Sequence, residues 1–380
     1  MNMRKVFKQM LATVAAGAMS MAMVMPVFAE DINTKQTEAW ISKTYNTEVA
    51  KEETFSFTAT QKNGAGLVST EALPIMPKIS FTETDKETTT KRAKVEFPTY
   101  TEAGKYEYTV TENQTATPAV TNGEHEKMIM SEAEYKMDVY VENTSTGGCQ
   151  IANIIVNKAK DDKGETTTAT GKVDISNTDK NGFKFTNTYV QEAGTGDKPS
   201  NPGEDYNTYG SLNVSKTINK NGANSASTTD EFSFQATFKF PTGTDANTLG
   251  GVKANGTAIT LTDGACDFKL KNGEKEKFTG LPVGTTMTVT ESATPNYKGS
   301  AKVTINGAPG KTIEATKYDE AITVSNQKLG QKKNTVDVTN TYNNVPVTGI
   351  IMNNLPYIAM IVIGAAALVV YVQNKRKNLQ

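Results

Sequence analysis

The most restrictive feature of this sequence is a set of short strand-like segments in which one core-facing position is lysine, glutamate or asparagine. Alternate side chains of a β-strand lie on the same face of the sheet. The segments are 41–45, 106–112 and 183–189 in the first half, and 212–218, 287–291 and 336–342 in the second. In chain order, the polar residues among their apolar neighbours are Lys43, Glu112 and Asn187, then Lys216, Glu291 and Asn340.

The residues around these positions are also alike in the two halves. SKT occurs at 42–44 and 215–217, TVTE at 109–112 and 288–291, and TNTY at 186–189 and 339–342. We interpret the halves as diverged relatives. Each has its lysine on the first strand, its asparagine on the last strand and its glutamate between them.

Short alternating runs rich in Val, Thr, Tyr and Phe, separated by Gly/Asn/Asp turns, predict an all-β fold of two tandem Ig-like β-sandwich domains. The predicted strands are 54–60, 105–112, 135–141, 183–190, 212–218, 231–240, 286–291 and 335–342. The segment QEAGTGDKPSNPGE has the composition of a linker. The predicted boundaries are an N-terminal domain at 30–190, a linker at 191–208 and a C-terminal domain at 209–343.

Both ends carry export and anchoring signals. Residues 1–29 combine a basic start, an apolar run and the small-residue site VFA, which predicts a cleaved signal peptide. Residues 355–372 are almost wholly apolar and are followed by a basic tail at 373–380, which predicts a C-terminal transmembrane helix with a cytoplasmic tail. The preceding pentapeptide VPVTG at 345–349 resembles the cell-wall sorting signal of Gram-positive surface proteins. An ordinary single-span membrane protein is the alternative.

The composition argues against several other classes of protein. The formal net charge is −1 and the basic residues do not cluster, so nucleic acid is not an expected partner. No His/Cys spacing of the usual zinc type occurs, and we expect no metal and no cofactor. Cys149 and Cys266 fall one in each half, so neither half can form an internal disulfide, and both are interpreted as small buried thiols.

The lysine, glutamate and asparagine of each half form a reactive set if they meet in a dry core. Burial lowers the pKa of a lysine and raises that of a glutamate, which gives a neutral nucleophile beside a proton donor. A protonated glutamate bonded to the asparagine carbonyl would polarise it and pass protons to the departing ammonia. The predicted product is an amide between the two side chains. The chain would catalyse its own reaction once and would not be an enzyme. The alternative is ordinary strand residues whose lysines extend into solvent.

Several motifs resemble those of the major backbone pilins of streptococcal pili, of the FctA or T-antigen type, and of collagen-adhesin B-type domains. They are FKLKNGE from Phe268, LPVG from Leu281 and VTE from Val289 in the second half, and AGKYEYTVTE from Ala103 and FTN from Phe185 in the first. The resemblance implies two Ig-like domains with one Lys–Asn isopeptide bond each. It assigns Lys43, Asn187 and the catalytic Glu112 to one bond, and Lys216, Asn340 and the catalytic Glu291 to the other.

The resemblance also implies how subunits join. A sortase would cleave between Thr348 and Gly349 and hold the threonine as a thioester. It would then transfer Thr348 to a lysine of the next, identical subunit, and the last subunit to peptidoglycan or a base pilin. The family's acceptor lies seven residues before the first-half asparagine, which is Lys180 here. The rival lysines are Lys158, Lys160, Lys163 and Lys172.

The favoured interpretation is a covalently polymerised pilus shaft subunit on the surface of a Gram-positive bacterium, and a host surface ligand is left open. A monomeric, sortase-anchored cell-wall adhesin or stalk protein is the main alternative. A secreted hydrolase is a third. It would have to use His125, the single histidine, and no Gly-x-Ser-x-Gly motif accompanies it.

Overall fold

The computed structural model describes residues 35–167, 171–178, 182–223 and 226–343. The predicted signal peptide at 1–29, Lys180, the motif at 345–349 with Thr348 and Gly349, the apolar segment at 355–372 and the tail at 373–380 lie outside these residues. Across the part that is described, no helix has the length and apolar character needed to cross a membrane.

The described residues form an all-β structure. The strands of the first half are β1 (Trp40–Thr47), β2 (Glu53–Lys62), β3 (Lys78–Phe81), β4 (Glu87–Lys94), β5 (Gly104–Glu112), β6 (Glu126–Ile129), β7 (Glu134–Asn143), β8 (Cys149–Lys160) and β9 (Phe183–Gln191). A short helix, α1 (Glu204–Tyr209), follows. The strands of the second half are β10 (Leu212–Asn219), β11 (Phe232–Lys239), β12 (Lys253–Ala254), β13 (Thr257–Ala258), β14 (Ala265–Leu270), β15 (Lys275–Thr279), β16 (Thr286–Glu291), β17 (Tyr297–Ile305), β18 (Ala308–Glu314), β19 (Ile322–Lys328) and β20 (Thr335–Tyr342).

The first half is a sandwich of two sheets, called here the first sandwich. Its sheets have the strand orders β4-β1-β9-β6 and β3-β2-β5-β7-β8. Aromatic side chains join the two inner faces. The ring centroids of Tyr45 and Phe55 are 5.4 Å apart, and those of Phe57 and Phe185 are 4.9 Å apart. The alternation of buried and exposed residues in β2 follows from this one-sided packing.

The second half, called the second sandwich, is built in the same way. Its sheets have the orders β13-β12-β15-β10-β20-β17-β18 and β14-β11-β16-β19. Phe232 of β11 packs edge-on against Tyr297 of β17, with the centroids 5.1 Å apart. Phe238 and Phe278 make a similar contact between the sheets at 5.4 Å.

In both sandwiches the first and last strands lie side by side and run parallel. Lys43 of β1 is opposite Phe185 of β9, and Lys216 of β10 is opposite Val338 of β20. Each asparagine therefore lies two residues beyond the lysine's partner. Because strand side chains repeat every two residues, each lysine and asparagine share the inner face at adjacent positions.

The start of the segment predicted as a linker is buried against the second sandwich. The Ala193 N–H donates to the Leu281 carbonyl at 2.9 Å, and the Val283 N–H donates to the Gln191 carbonyl at 2.8 Å. Gly194 has a φ of 83°, and a Cβ there would collide with the Gly210 carbonyl oxygen. The small residues that look like linker composition thus permit close backbone packing.

The two cysteines are half-buried free thiols. Cys149 begins β8 and Cys266 lies in β14, and both strands are at the edges of their sheets. The interpretation of both as small buried thiols was wrong, since each is only half-buried, and an edge strand is covered by a neighbour on one side only.

Candidate functional site

The first sandwich brings Lys43, Glu112 and Asn187 together in its core. Lys43 Nζ lies 2.6 Å from Glu112 Oε1 and 4.4 Å from the centroid of the Phe55 ring. Asn187 Nδ2 donates to the same Glu112 oxygen at 3.1 Å. Lys43 and Asn187 are 0% exposed and Glu112 is 3% exposed, so water has no access to the three groups.

The second sandwich repeats the arrangement with Lys216, Glu291 and Asn340. Lys216 Nζ donates to both Glu291 oxygens, at 2.8 Å and 3.0 Å, and lies 4.0 Å from the centroid of the Phe232 ring. Asn340 Nδ2 donates to Glu291 Oε1. In each site an aromatic ring and a carboxylate enclose the amine, and the amide touches that carboxylate.

Burial shifts the pKa values of the lysines and of the glutamates in opposite directions. Desolvation lowers the pKa of Lys43 and of Lys216 to about 8, although the neighbouring carboxylates favour the charged amines. Desolvation also raises the pKa of Glu112 and of Glu291, against the effect of the adjacent lysines. Transfer of a proton from amine to carboxylate is therefore much less unfavourable here than in water.

The expected hydrogen bond from a protonated glutamate to the asparagine carbonyl is not present in this structure, where both glutamates contact the amide nitrogen. In the first site the carbonyl oxygen is already occupied, because Asn187 Oδ1 accepts from the Ser131 N–H at 2.7 Å. In the second site Asn340 Oδ1 is buried and has no hydrogen-bond partner among the described residues. Each glutamate lies on the side from which ammonia would depart.

Two residues of the first site were not identified from the sequence. Ser131 lies between β6 and β7, and its hydroxyl donates to Asp162 Oδ1 at 2.5 Å. Asp162 Oδ1 also accepts from the Thr186 N–H at 2.9 Å. Neither residue belongs to a motif shared by the two halves, and neither lies in a strand with alternating polarity. The sequence therefore carried no signal for them.

Among the described residues, His125 contacts a carboxylate, and no serine hydroxyl is hydrogen-bonded to its ring. Its Nδ1 lies 2.7 Å from Glu192 Oε2, and Ser211 Oγ donates to Glu192 Oε1 at 2.6 Å. The serine thus binds the carboxylate, whereas nucleophilic catalysis requires it to bind the imidazole. Within the described ranges, no group of His, Cys, Asp or Glu side chains is arranged to hold a metal ion.

Comparison with protein-family models gives one match in each half of the chain. Residues 39–190 match the Spy0128-like isopeptide containing domain. Residues 210–342 match a domain of unknown function, DUF7601. Among curated proteins, the pilus tip adhesin Cpa of Streptococcus pyogenes is 34% identical over 122 residues. That match covers 31% of this chain and 16% of the adhesin's length.

Among solved structures, two major pilins of Streptococcus pyogenes are similar to this chain. The major pilin T3.2 is 20% identical with a TM-score of 0.32, over 81% of this chain and 99% of that one. Another major pilin from this organism is 21% identical with a TM-score of 0.32, over 80% of this chain and 99% of that one.

Proposed function

We infer that this chain, whose residues 39–190 match the Spy0128-like isopeptide containing domain, is the shaft subunit of a surface pilus. A sortase polymerises it by joining Thr348 to a lysine of the next subunit. Each sandwich is closed internally by a Lys–Asn isopeptide bond, Lys43 to Asn187 and Lys216 to Asn340. The subunit is exported, and its last copy is attached to the cell wall of a Gram-positive bacterium.

The observation that carries the proposal is the repeated burial of lysine, glutamate and asparagine in contact. A fully buried ion pair has a desolvation cost that its mutual attraction repays only partly. This chain buries two such pairs, and in each pair the amine also lies against an aromatic ring and the carboxylate touches an amide. As ion pairs alone they would stabilise the core poorly. Condensation removes the charges and leaves a neutral amide, which suits a subunit that must bear tension.

The reaction proceeds in the same way at both sites. The ammonium of Lys43 gives a proton to Glu112, and the neutral amine attacks the carbonyl carbon of Asn187. The new C–N bond forms while the carbonyl electron pair moves onto Oδ1. Glu112 passes a proton from the attacking nitrogen to Nδ2, the C–Nδ2 bond breaks and ammonia leaves. The carbonyl reforms, and Glu112 ends protonated. Proximity in a fixed core supplies on the order of 7–11 kcal/mol that a bimolecular reaction would lack.

Polymerisation is tested by boiling cell-wall extracts in SDS and probing for this chain. We expect a ladder of covalent multimers that disappears when Thr348→Ala removes the sorting threonine. Lys180→Arg should also abolish the ladder while the monomer stays anchored, and Lys172→Arg is the matched control. A single band of subunit mass in the unmodified strain would contradict the shaft function. A ladder that persists in Lys180→Arg would transfer the acceptor role to Lys158, Lys160, Lys163 or Lys172.

The match to a pilus tip adhesin supports a second candidate, a sortase-anchored adhesin or stalk protein with the same domains. This protein would use the sorting signal once, for attachment to the wall, and would need no acceptor lysine. The same blot distinguishes the two candidates, since the adhesin gives one wall-linked species and no ladder.

A further inference from the structure

We propose that the main-chain N–H of Ser131 is an oxyanion donor for the first isopeptide bond, and that Asp162 positions it. This inference rests on the proposed condensation of Lys43 with Asn187. It adds a catalytic group that acts on the other side of the amide from Glu112.

The geometry places this donor where charge develops. When the amine attacks, negative charge appears on Asn187 Oδ1, and the Ser131 N–H already donates to that atom at 2.7 Å. Ser131 is 0% exposed, so no water competes for the same oxygen. A donor fixed in a dry site stabilises an oxyanion more than the neutral carbonyl, which lowers the barrier.

The peptide of Ser131 is fixed by three further contacts. Its hydroxyl donates to Asp162 Oδ1 at 2.5 Å and accepts from the Ala133 N–H at 3.2 Å. Its carbonyl accepts from Gln114 Nε2 at 2.9 Å. Asp162 is in turn oriented by the Thr186 N–H, which belongs to the residue before Asn187. The Ser131 N–H is therefore held in place through Asp162 by β9, the strand that carries Asn187.

Glu112 and the Ser131 N–H contact opposite ends of the Asn187 amide, at Nδ2 and at Oδ1. Burial raises the pKa of Glu112, and the adjacent Lys43 acts in the opposite direction. Proton transfer from Lys43 to Glu112 and polarisation of the Asn187 carbonyl by the Ser131 N–H therefore act on the same amide from two sides.

In the second site, Asn340 Oδ1 is buried, and no described residue donates a hydrogen bond to it as Ser131 does in the first. A Cβ at Gly299 would lie 3.3 Å from this oxygen. The two sites of one molecule thus differ in this donor but share the lysine, glutamate and aromatic ring, and the second site is an internal reference for the first.

The test follows both bonds in the full chain after a short pulse of cell-free translation. Samples are quenched in acid at intervals and digested, and mass spectrometry measures the loss of ammonia at each site. Ser131→Pro removes the N–H, and we expect it to slow the first site on the order of 100-fold with the second site unchanged. Ser131→Ala keeps the N–H and should react much faster than Ser131→Pro.

Ser131→Pro would slow both sites if it disturbs the fold. In that case a pair of Asp162 variants tests the inference. Asp162→Ala should slow only the first site, and Asp162→Asn, which keeps an acceptor for the Ser131 hydroxyl, should restore the rate. An unchanged first-site rate in Ser131→Pro, or in Asp162→Ala, would overturn the inference. No loss of ammonia at either site of the unmodified chain would instead overturn the proposed condensation itself.

Discussion

At the scale of single residues, Glu53 is a buried carboxylate outside the two sites of lysine, glutamate and asparagine. Glu53 is 1% exposed, and neither of its side-chain oxygens has a hydrogen-bond partner within the described residues. The nearest cation is Lys51 Nζ at 3.9 Å. Burial raises the pKa of Glu53 to about 7, and the neighbouring Lys51 acts in the opposite direction. The buried carboxylate is therefore an electrostatic cost to folding.

Glu53→Gln should therefore stabilise the protein at high pH. The folded-state pKa lies above the unfolded one, so the folded state holds the proton more firmly. The free energy of unfolding then falls as pH rises from about 4.5 to about 7. We expect the variant to gain about 2–3 kcal/mol at pH 8 and almost nothing at pH 4. Urea titrations at both pH values measure this, with the exposed Glu52→Gln as control. An equal gain at both pH values would contradict it.

The sequence predicts which residues form the first site but not how the Asn187 amide is oriented. Two-residue periodicity places Lys43, Glu112 and Asn187 on inner faces, because a sandwich buries alternate residues of each strand. It does not reveal which atom of the amide faces the glutamate. That depends on the Ser131 N–H, which comes from an irregular segment with no periodicity.

At the scale of elements, several central strands were predicted, whereas the central strands β15 and β17 and several polar edge strands were not. The predicted bounds of 286–291 and 335–342 coincide with β16 and β20, which alternate against a packed core. Strand β4, with the sequence ETTTKRAK, and strand β18, with APGKTIE, were not predicted. Both lie at sheet edges, β4 has no buried residue and β18 is largely exposed, so neither shows the alternation of buried and exposed residues that identifies a strand.

A bond between first and last strands should stabilise the sandwich by restricting the unfolded chain. A cross-link that closes a loop of more than 100 residues is worth on the order of 5 kcal/mol. We expect Asn187→Ala to lower the free energy of unfolding by about that amount. Lys43→Ala should cost a similar amount, and the double variant little more, because all three lack the same bond. Fully additive losses in denaturant titrations would contradict a shared covalent link.

At the scale of the whole molecule, Glu192 forms a buried junction between the two sandwiches. Its carboxylate accepts from the Tyr206 hydroxyl at 2.8 Å, the Ser211 hydroxyl at 2.6 Å and the Gly280 N–H at 2.5 Å. His125 of the first sandwich contacts its other oxygen. Sequence composition predicted a linker here and could not show this junction, since it depends on one glutamate meeting donors from distant segments.

Glu192→Ala should loosen the junction without unfolding either sandwich. It leaves several buried donors unpaired, each at a cost of about 1–3 kcal/mol. Limited proteolysis between 196 and 203 should become faster, and small-angle scattering should show a wider range of molecular dimensions. The control is Glu52→Gln, which removes an exposed carboxylate of the first sandwich. Equal protease resistance in Glu192→Ala and the unmodified protein would contradict the junction's role.

The most direct test of the account is the intact mass of the secreted protein after denaturation. We predict a mass below that of the sequence by two molecules of ammonia. Glu112→Ala and Glu291→Ala should each lose one molecule only, and the double variant none. A protein that keeps its full sequence mass would contradict the central claim that the two buried lysines condense with Asn187 and Asn340.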